Sequence, residues 1–360
     1  MAANTRKSTR SRRRHNTSTI TIHDVAARAG VSVATVSRVL NSKDLVREET
    51  SRQVLAAAKS LRYVPNIAAR SLSIRRSQTI GIVLPDVHGE YFSEVIRGVD
   101  VDARHEGYHI LVSGSHSDPK EMLEVIEAMR GRVDGLIVMA PDVPPSTLRE
   151  QFAADIPVVL LNTVDDTHDA ITIDNYGGAR AMMRHLASLG HKQIAFIKGP
   201  SHNADARERL RGYRHFMRAL GAAGRSFEMD GDFTERSGYA AAVQLTETKP
   251  RPTAIFAAND SMAVGALSAL ADRNIAVPQE MTVVGFDDIP IAHYVAPPLT
   301  TIRVEIAELG RRSFAVLCDS IRDTTHPKRQ ECIGTTLVVR KSCAAPQSIT
   351  RRSRNKGEDS

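Results

Sequence analysis

The chain has 360 residues, 42% hydrophobic and only 4% aromatic, with 48 Lys and Arg against 41 Asp and Glu for a formal net charge of +7. That length allows more than one domain, and no run is long and apolar enough to predict a membrane span. Cys318, Cys332 and Cys343 are too few and too scattered for a disulfide framework or a CxxC pair, which suits a reducing, cytoplasmic setting.

Residues 1–19 carry Arg6, Lys7, Arg10, Arg12, Arg13 and Arg14 and no apolar stretch, so they do not read as a signal peptide. They are expected to be a disordered basic arm that touches phosphates without reading sequence. Asn16-Thr17-Ser18 is a glycosylation triplet without meaning in a chain that is not secreted.

Residues 20–64 predict a three-helix headpiece. Ile22, Val25, Ala26 and Ala29 recur at helical spacing, Thr21 and Asp24 fit a capping box, and Gly30 supplies the positive φ of a sharp turn. Ser32 can cap a second helix that turns Val36, Val39 and Leu40 inward and leaves Val33, Ala34, Ser37 and Arg38 outward. Small residues, hydroxyls and one arginine on that face suit the floor of a DNA major groove, which marks a helix-turn-helix. A third helix near Arg47–Leu61 closes the unit through Val54, Ala58 and Leu61.

Pro65 breaks the helix, and residues 65–76 hold a short segment capped by Asn66 and running through Ala69 and Arg70 to Leu72. By composition alone it is a linker with a stray leucine. Placed directly after a helix-turn-helix, it is expected to be a hinge helix that orders on DNA beside a second copy, with Leu72 as a minor-groove wedge. Residues 1–76 hold sixteen basic and four acidic side chains, a net of +12, while the remainder carries −5. All the surplus positive charge therefore sits with the candidate DNA reader.

From residue 77 to 341 buried strands alternate with helices: Ile80–Leu84, His109–Val112, Gly135–Met139, Pro157–Leu161, Ile171–Ile173, Ile194–Ile197, Ala254–Ala257 and Thr282–Phe286. Continuous apolar runs flanked by turns indicate parallel strands covered on both faces, and the stretch is long enough for two doubly wound lobes. The chain is expected to cross between them near Asp174, leaving a ligand cleft at the strand ends. Residues 342–360 read as a disordered tail.

In this order and spacing, several motifs resemble the lactose-repressor/galactose-repressor (LacI/GalR) family of bacterial transcription regulators over residues 20–341. They include Asp24-Val25-Ala26, Thr35-Val36-Ser37-Arg38-Val39-Leu40-Asn41, Ala69-Arg70-Ser71-Leu72, Arg132-Val133-Asp134-Gly135, Ala258-Asn259-Asp260 and Val284-Gly285-Phe286-Asp287-Asp288. The resemblance implies an α plus α/β architecture: headpiece and hinge helix, then a two-lobed core of the periplasmic-binding-protein type. It also implies a homodimer on double-stranded, near-palindromic operator DNA, controlled by a small-molecule effector whose lobe preference is linked to DNA affinity.

By the same resemblance Val33, Ala34 and Arg38 stand at base-reading positions. Ser32, Thr35, Ser37 and Asn41 stand at phosphate-contacting or capping positions. Effector contacts are expected from Tyr91, Phe92, Asp174, Asn203, Asp205, Arg209, Phe233, Asn259 and Asp287. An Asp/Asn/Arg set clamps vicinal hydroxyls and an aromatic ring stacks on a sugar's apolar face, so a sugar or sugar derivative is favoured. Singly, each of these residues could equally be structural; Arg209 could merely hold a helix and Phe233 belong to the core. A purine-responsive regulator is the alternative, since Tyr91, Phe92, Arg209, Phe233 and Asp287 agree with purine-binding members. Asn203 and Asp205 depart from them, standing where those members carry an arginine and a threonine.

His105-Glu106-Gly107-Tyr108-His109 matches HExxH, but Gly107 should end the helix and separate the imidazoles, so no metal is expected there. No phosphate-binding glycine loop or nucleophile elbow occurs, and no cofactor is expected. A secreted sugar receptor would lack the helix-turn-helix, and an enzyme would need paired acid/base groups, so the chain reads as a regulator without catalytic residues.

Overall fold

The computed structural model describes residues 20–41, 46–63, 76–152, 156–163, 165–221, 225–323 and 325–346. The basic arm, the hinge segment with Asn66, Ala69, Arg70 and Leu72, and the tail beyond residue 346 lie outside the described residues. The chain divides into two compact units, Met1–Ser77 and Gln78–Ser360.

In the first unit α1 (Ile22–Ala29), α2 (Val33–Asn41) and α3 (Glu48–Ser60) enclose a small core of Val25, Ala26, Val36, Val39, Val54, Ala57 and Ala58. The Asp24 carboxylate accepts from the Thr21 backbone N–H at 2.7 Å and from its hydroxyl at 2.8 Å, which holds the carboxyl below its usual pKa. Gly30 ends α1 at φ 65°, where a side chain would be strained. The Thr35 N–H donates to Ser32 Oγ at 3.1 Å, so Ser32 caps α2.

The second unit is two-lobed. Its first lobe is a six-stranded sheet in the order β2-β1-β3-β4-β5-β11, from β1 (Thr79–Leu84), β2 (His109–Gly114), β3 (Gly135–Met139), β4 (Val158–Leu161), β5 (Asp169–Ile173) and β11 (Gln330–Ile333). All its pairings are parallel. Side chains alternate between the faces: Leu136 and Val138 of β3 join Met122, Ile126 and Leu148, while Ile137 and Met139 join Val95, Val99 and Leu317. Those partners come from α5 (Pro119–Met129) and α6 (Pro145–Gln151) on one side, and from α4 (Glu90–His105) and α11 (Ile306–Arg322) on the other. This two-sided burial explains the continuous apolar runs. Helices α4 and α11 pack backbone to backbone, since a methyl at Gly98 would strike the Ala307 carbonyl and one at Gly310 the Val95 carbonyl.

The second lobe is a four-stranded parallel sheet, β7-β6-β8-β9, from β6 (Gln193–Ile197), β7 (Arg225–Met229), β8 (Ala254–Ala257) and β9 (Thr282–Val284). Helices α7 (Asn175–Ser188), α8 (Ala204–Leu220), α9 (Glu235–Glu247) and α10 (Asp260–Asp272) accompany it. An antiparallel ribbon pairs β10 (Thr301–Arg303) with β12 (Thr336–Val338). The chain passes between lobes at Asp174, between β9 and α11, and between β11 and β12.

Two expectations need correction. The ordered core runs past Lys341: Ser342 is fully buried, donates to the Val283 carbonyl at 2.6 Å and accepts from the Thr300 N–H at 2.8 Å. Edge and crossing strands β7, β10, β11 and β12 are absent from the sequence-based set, being short or carrying polar residues. The HExxH segment breaks at Gly107 (φ 75°), with His105 closing α4 and His109 opening β2. Among the described residues no helix is long and apolar enough to cross a membrane.

Candidate functional site

On the headpiece, Ser32, Ala34 and Arg38 are exposed, and Thr35 and Ser37 are partly covered. Val33, expected to face outward, is instead half-buried against the headpiece core, because it sits one turn before the buried Val36 and opens the same face. The exposed surface of α2 is thus made by Ser32 and Ala34 at its start and by Arg38 in its last turn. Asn41 lies on the last turn of α2.

In the core unit, a cavity of about 440 Å³ lies where the loops after β1, β3, β4, β6, β7, β8 and β9 converge. Ligands in open parallel sheets bind beyond the carboxyl ends of the strands, and this volume falls in the range of small-molecule sites. The cavity gathers Tyr91, Phe92, Asn203, Asp205, Arg209, Phe233, Asn259 and Asp287. Asp174 is not among its lining residues. Its exposed carboxylate accepts from the Gly177 N–H at 2.8 Å and caps α7. Its neighbour Asn175 takes the inward place.

Arg209 organises the floor. It is 3% exposed, donates from Nε to Asn175 Oδ1 at 2.8 Å and from Nη1 to the Ala258 carbonyl at 2.6 Å, and faces Asp287 at 2.9 Å. Its guanidinium also lies 3.9 Å from the centre of the Phe286 ring. The contact with Asp287 is a buried ion pair, made from Nη2 to Oδ1. Asp205 accepts from the side-chain amides of Asn175 and Asn162, both at 2.8 Å. Asn162 also donates to the Tyr91 hydroxyl at 3.2 Å. Burial, partly offset by Arg209, pushes Asp205 and Asp287 each up to about 6, and burial raises the Tyr91 phenol as well.

Helix caps build the rest. Asn203 accepts from the Ala206 N–H at 3.0 Å at the head of α8. Asn259 accepts from the Met262 N–H at 3.0 Å at the head of α10, and donates to the Phe233 carbonyl at 3.0 Å. Among the described residues four lining positions hold left-handed backbone without being glycine: Ser117 (φ 55°), Asn162 (φ 57°), Phe233 (φ 70°) and Asp287 (φ 111°). Such strain persists where surroundings over-determine it, and it gathers at ligand sites.

Sequence reasoning missed Asn162, Asn175 and Asp142. Asn162 directly follows the apolar run of β4, a position that parallel-sheet topology marks for a ligand contact. A second hollow of about 550 Å³, on the outer face of α8, is lined by Arg214, Arg218 and Glu228. Its Arg214–Glu228 pair closes on itself at 2.7 Å, and the hydroxyl of its buried Tyr213 is taken by the Ile194 carbonyl.

Comparison with known proteins gives a consistent picture. Residues 21–66 match the model of bacterial regulatory proteins of the lacI family, and residues 183–343 match a periplasmic binding protein-like domain. The chain is 37% identical to the HTH-type transcriptional regulator GalS of Salmonella typhimurium over 334 residues, covering 91% of this chain and 98% of that one. It is 34% identical to the HTH-type transcriptional repressor PurR of Photobacterium profundum, covering 89% and 98%. Among solved structures, the Lac repressor dimer bound to operator and the anti-inducer ONPF superposes with a TM-score of 0.81 at 31% identity, covering 91% of this chain and 99% of that one.

Proposed function

The chain belongs to the LacI family of bacterial regulatory proteins, and we propose that it represses transcription from a near-palindromic operator as a homodimer whose grip is set by a sugar or sugar derivative in the cleft. It is a DNA-binding transcriptional regulator, so the open questions concern its DNA site, its assembly and its effector. The Lac repressor homologue is a dimer on operator DNA, which supports the same assembly here. The relatives compared are regulators, which supports a core that binds its ligand without turning it over. As in a repressor of this kind, the protein would act on the chromosome in the cytoplasm.

The observation that carries the sugar reading is the buried Arg209–Asp287–Asn175–Asp205–Asn162 network on the cavity floor. Carboxylates and amides fixed in this way accept from and donate to adjacent hydroxyls, while Phe233, Phe92 and Tyr91 supply apolar ring surface. The purine reading keeps one specific support, the same three rings beside Arg209 and Asp287, together with the PurR relatives.

A calorimetric melt of the full chain against hexoses, pentoses and nucleobases separates the two. A ligand at a hundredfold its Kd should raise stability by about 2.7 kcal/mol. A shift with at least one sugar and none with nucleobases is the expected result. Shifts with nucleobases alone would overturn the sugar reading.

A further inference from the structure

We infer that the cleft sorts effectors by charge: it takes a polyhydroxylated ligand that is neutral or carries an amine, rejects phosphorylated and carboxylated sugars, and owes this preference to Asp142 and Asp205. The inference rests on the sugar reading and narrows it.

Among the described residues seven carboxylates line the cavity: Asp86, Glu90, Asp142, Asp205, Asp232, Glu235 and Asp287. Among the same residues the cavity holds one guanidinium, Arg209, and two imidazoles, His88 and His202. Arg209 is already engaged by Asn175, the Ala258 carbonyl and Asp287. An incoming anion would therefore find its natural partner occupied.

Four helices begin at the cavity, and their positive ends would ordinarily attract an anion. Here that attraction is answered in two ways. Asn203, Thr234 and Asn259 each accept from one backbone N–H at the heads of α8, α9 and α10. First-turn carboxylates Glu90, Asp205 and Glu235 oppose the positive ends of α4, α8 and α9.

The unmet demand is for donors. Asp142 Oδ1 and Asn162 Oδ1 are buried and lack a hydrogen-bond partner among the described residues. Asn162 is 4% exposed, and the Asp142 side chain is 8% exposed. The imidazole of His202 lies beside Asp142, with Nε2 3.8 Å from Oδ1. Asp205 is enclosed with two neutral amides on its oxygens. Buried acceptors left empty are costly, and a hydroxyl or ammonium fills them. A phosphate or carboxylate brings more acceptors, and its charge meets Asp142 and Asp205 in a poorly screened enclosure.

The test is titration calorimetry of the full chain with matched triads built on glucose, galactose and mannose: the parent sugar, its 2-amino-2-deoxy form and its 6-phosphate. At least one parent or amino form should bind, with the amino form at least as tight and the phosphate at least tenfold weaker. Asp142→Asn and Asp205→Asn should each narrow the gap between parent and phosphate by threefold or more. Asp142→Asn alone decides the matter if Asp205→Asn does not fold. A phosphate that binds as tightly as its parent, or variants that leave the gap unchanged, would overturn the inference while sparing the sugar reading. If no sugar binds and a nucleobase does, the sugar reading itself falls.

Discussion

Arg209 joins parts of the chain far apart in sequence: Asn175 at the head of α7, the Ala258 carbonyl after β8, and Asp287 with the Phe286 ring after β9. Its replacement by methionine keeps the bulk but leaves Asp287 buried without its countercharge. We expect Arg209→Met to cost about 3–5 kcal/mol of core stability in urea unfolding. A loss under 1 kcal/mol would mean that the pair carries little. The carboxylates beside it predict a pH dependence. Asp205 and Asp287 titrate near 6 when folded, against 3.8 for the ordinary group, so the folded core binds the extra protons between these values. Their contribution therefore favours folding at low pH and fades as pH rises towards 6. Asp205 faces Arg209, Asp287, Tyr91, Asn162 and Asn175, so the ionised acceptor that a sugar hydroxyl needs forms only above that range. Effector affinity, measured by calorimetry between pH 5 and 7.5, should rise several-fold through pH 6 and then level; affinity that is flat or greatest at pH 5 would contradict this. Of these side chains Asp205, Arg209 and Asp287 were picked out by the family resemblance and not by spacing or apolar runs, and Asn162 and Asn175 were not picked out at all. Asp174 misled because helix capping and ligand binding draw on the same residue types, and only the backbone path turns Asn175 inward instead.

At the scale of elements, periodicity carried the reading where a face or a whole strand is buried. Helix α2, with Val36 and Val39 inward, and strand β3, buried along its length, are both plain in the sequence. Strand β11 was not, since Gln330, Glu331 and Cys332 alternate with no apolar run and its partner β5 lies some 160 residues earlier. Nothing local announces a pairing of that kind. Close helix contact was equally silent: Gly98 and Gly310 look like helix-weakening residues until α4 and α11 are seen to touch through them. Gly310→Ala should then destabilise the core by about 1–3 kcal/mol despite its better helix propensity. An unchanged or raised Tm would show that the helices can part without loss. On α2, Arg38→Ala should lower affinity for the specific operator by about 1–3 kcal/mol relative to nonspecific DNA. Equal losses on both would reduce Arg38 to a phosphate contact.

For the molecule as a whole, charge and lobes divide the labour. Residues 1–76 hold a net +12 and the rest −5, so the reader attracts phosphate and the ligand-binding core does not compete for it. The two-lobed core and its first crossing, near Asp174, were legible from alternating strands and helices, whereas the other two crossings were not, because they run through short segments around β10 and β12. Linkage then requires that a solute favouring one arrangement of the lobes alter DNA affinity, by an amount typically about 1–3 kcal/mol. DNase footprinting of the intact protein on its own upstream region, with and without a sugar that raises its Tm, tests this most directly. The account predicts a protected, near-palindromic site whose half-saturation concentration moves when the sugar is added. No protected palindrome under any ligand condition, or one whose occupancy ignores a sugar that demonstrably binds the core, would contradict it.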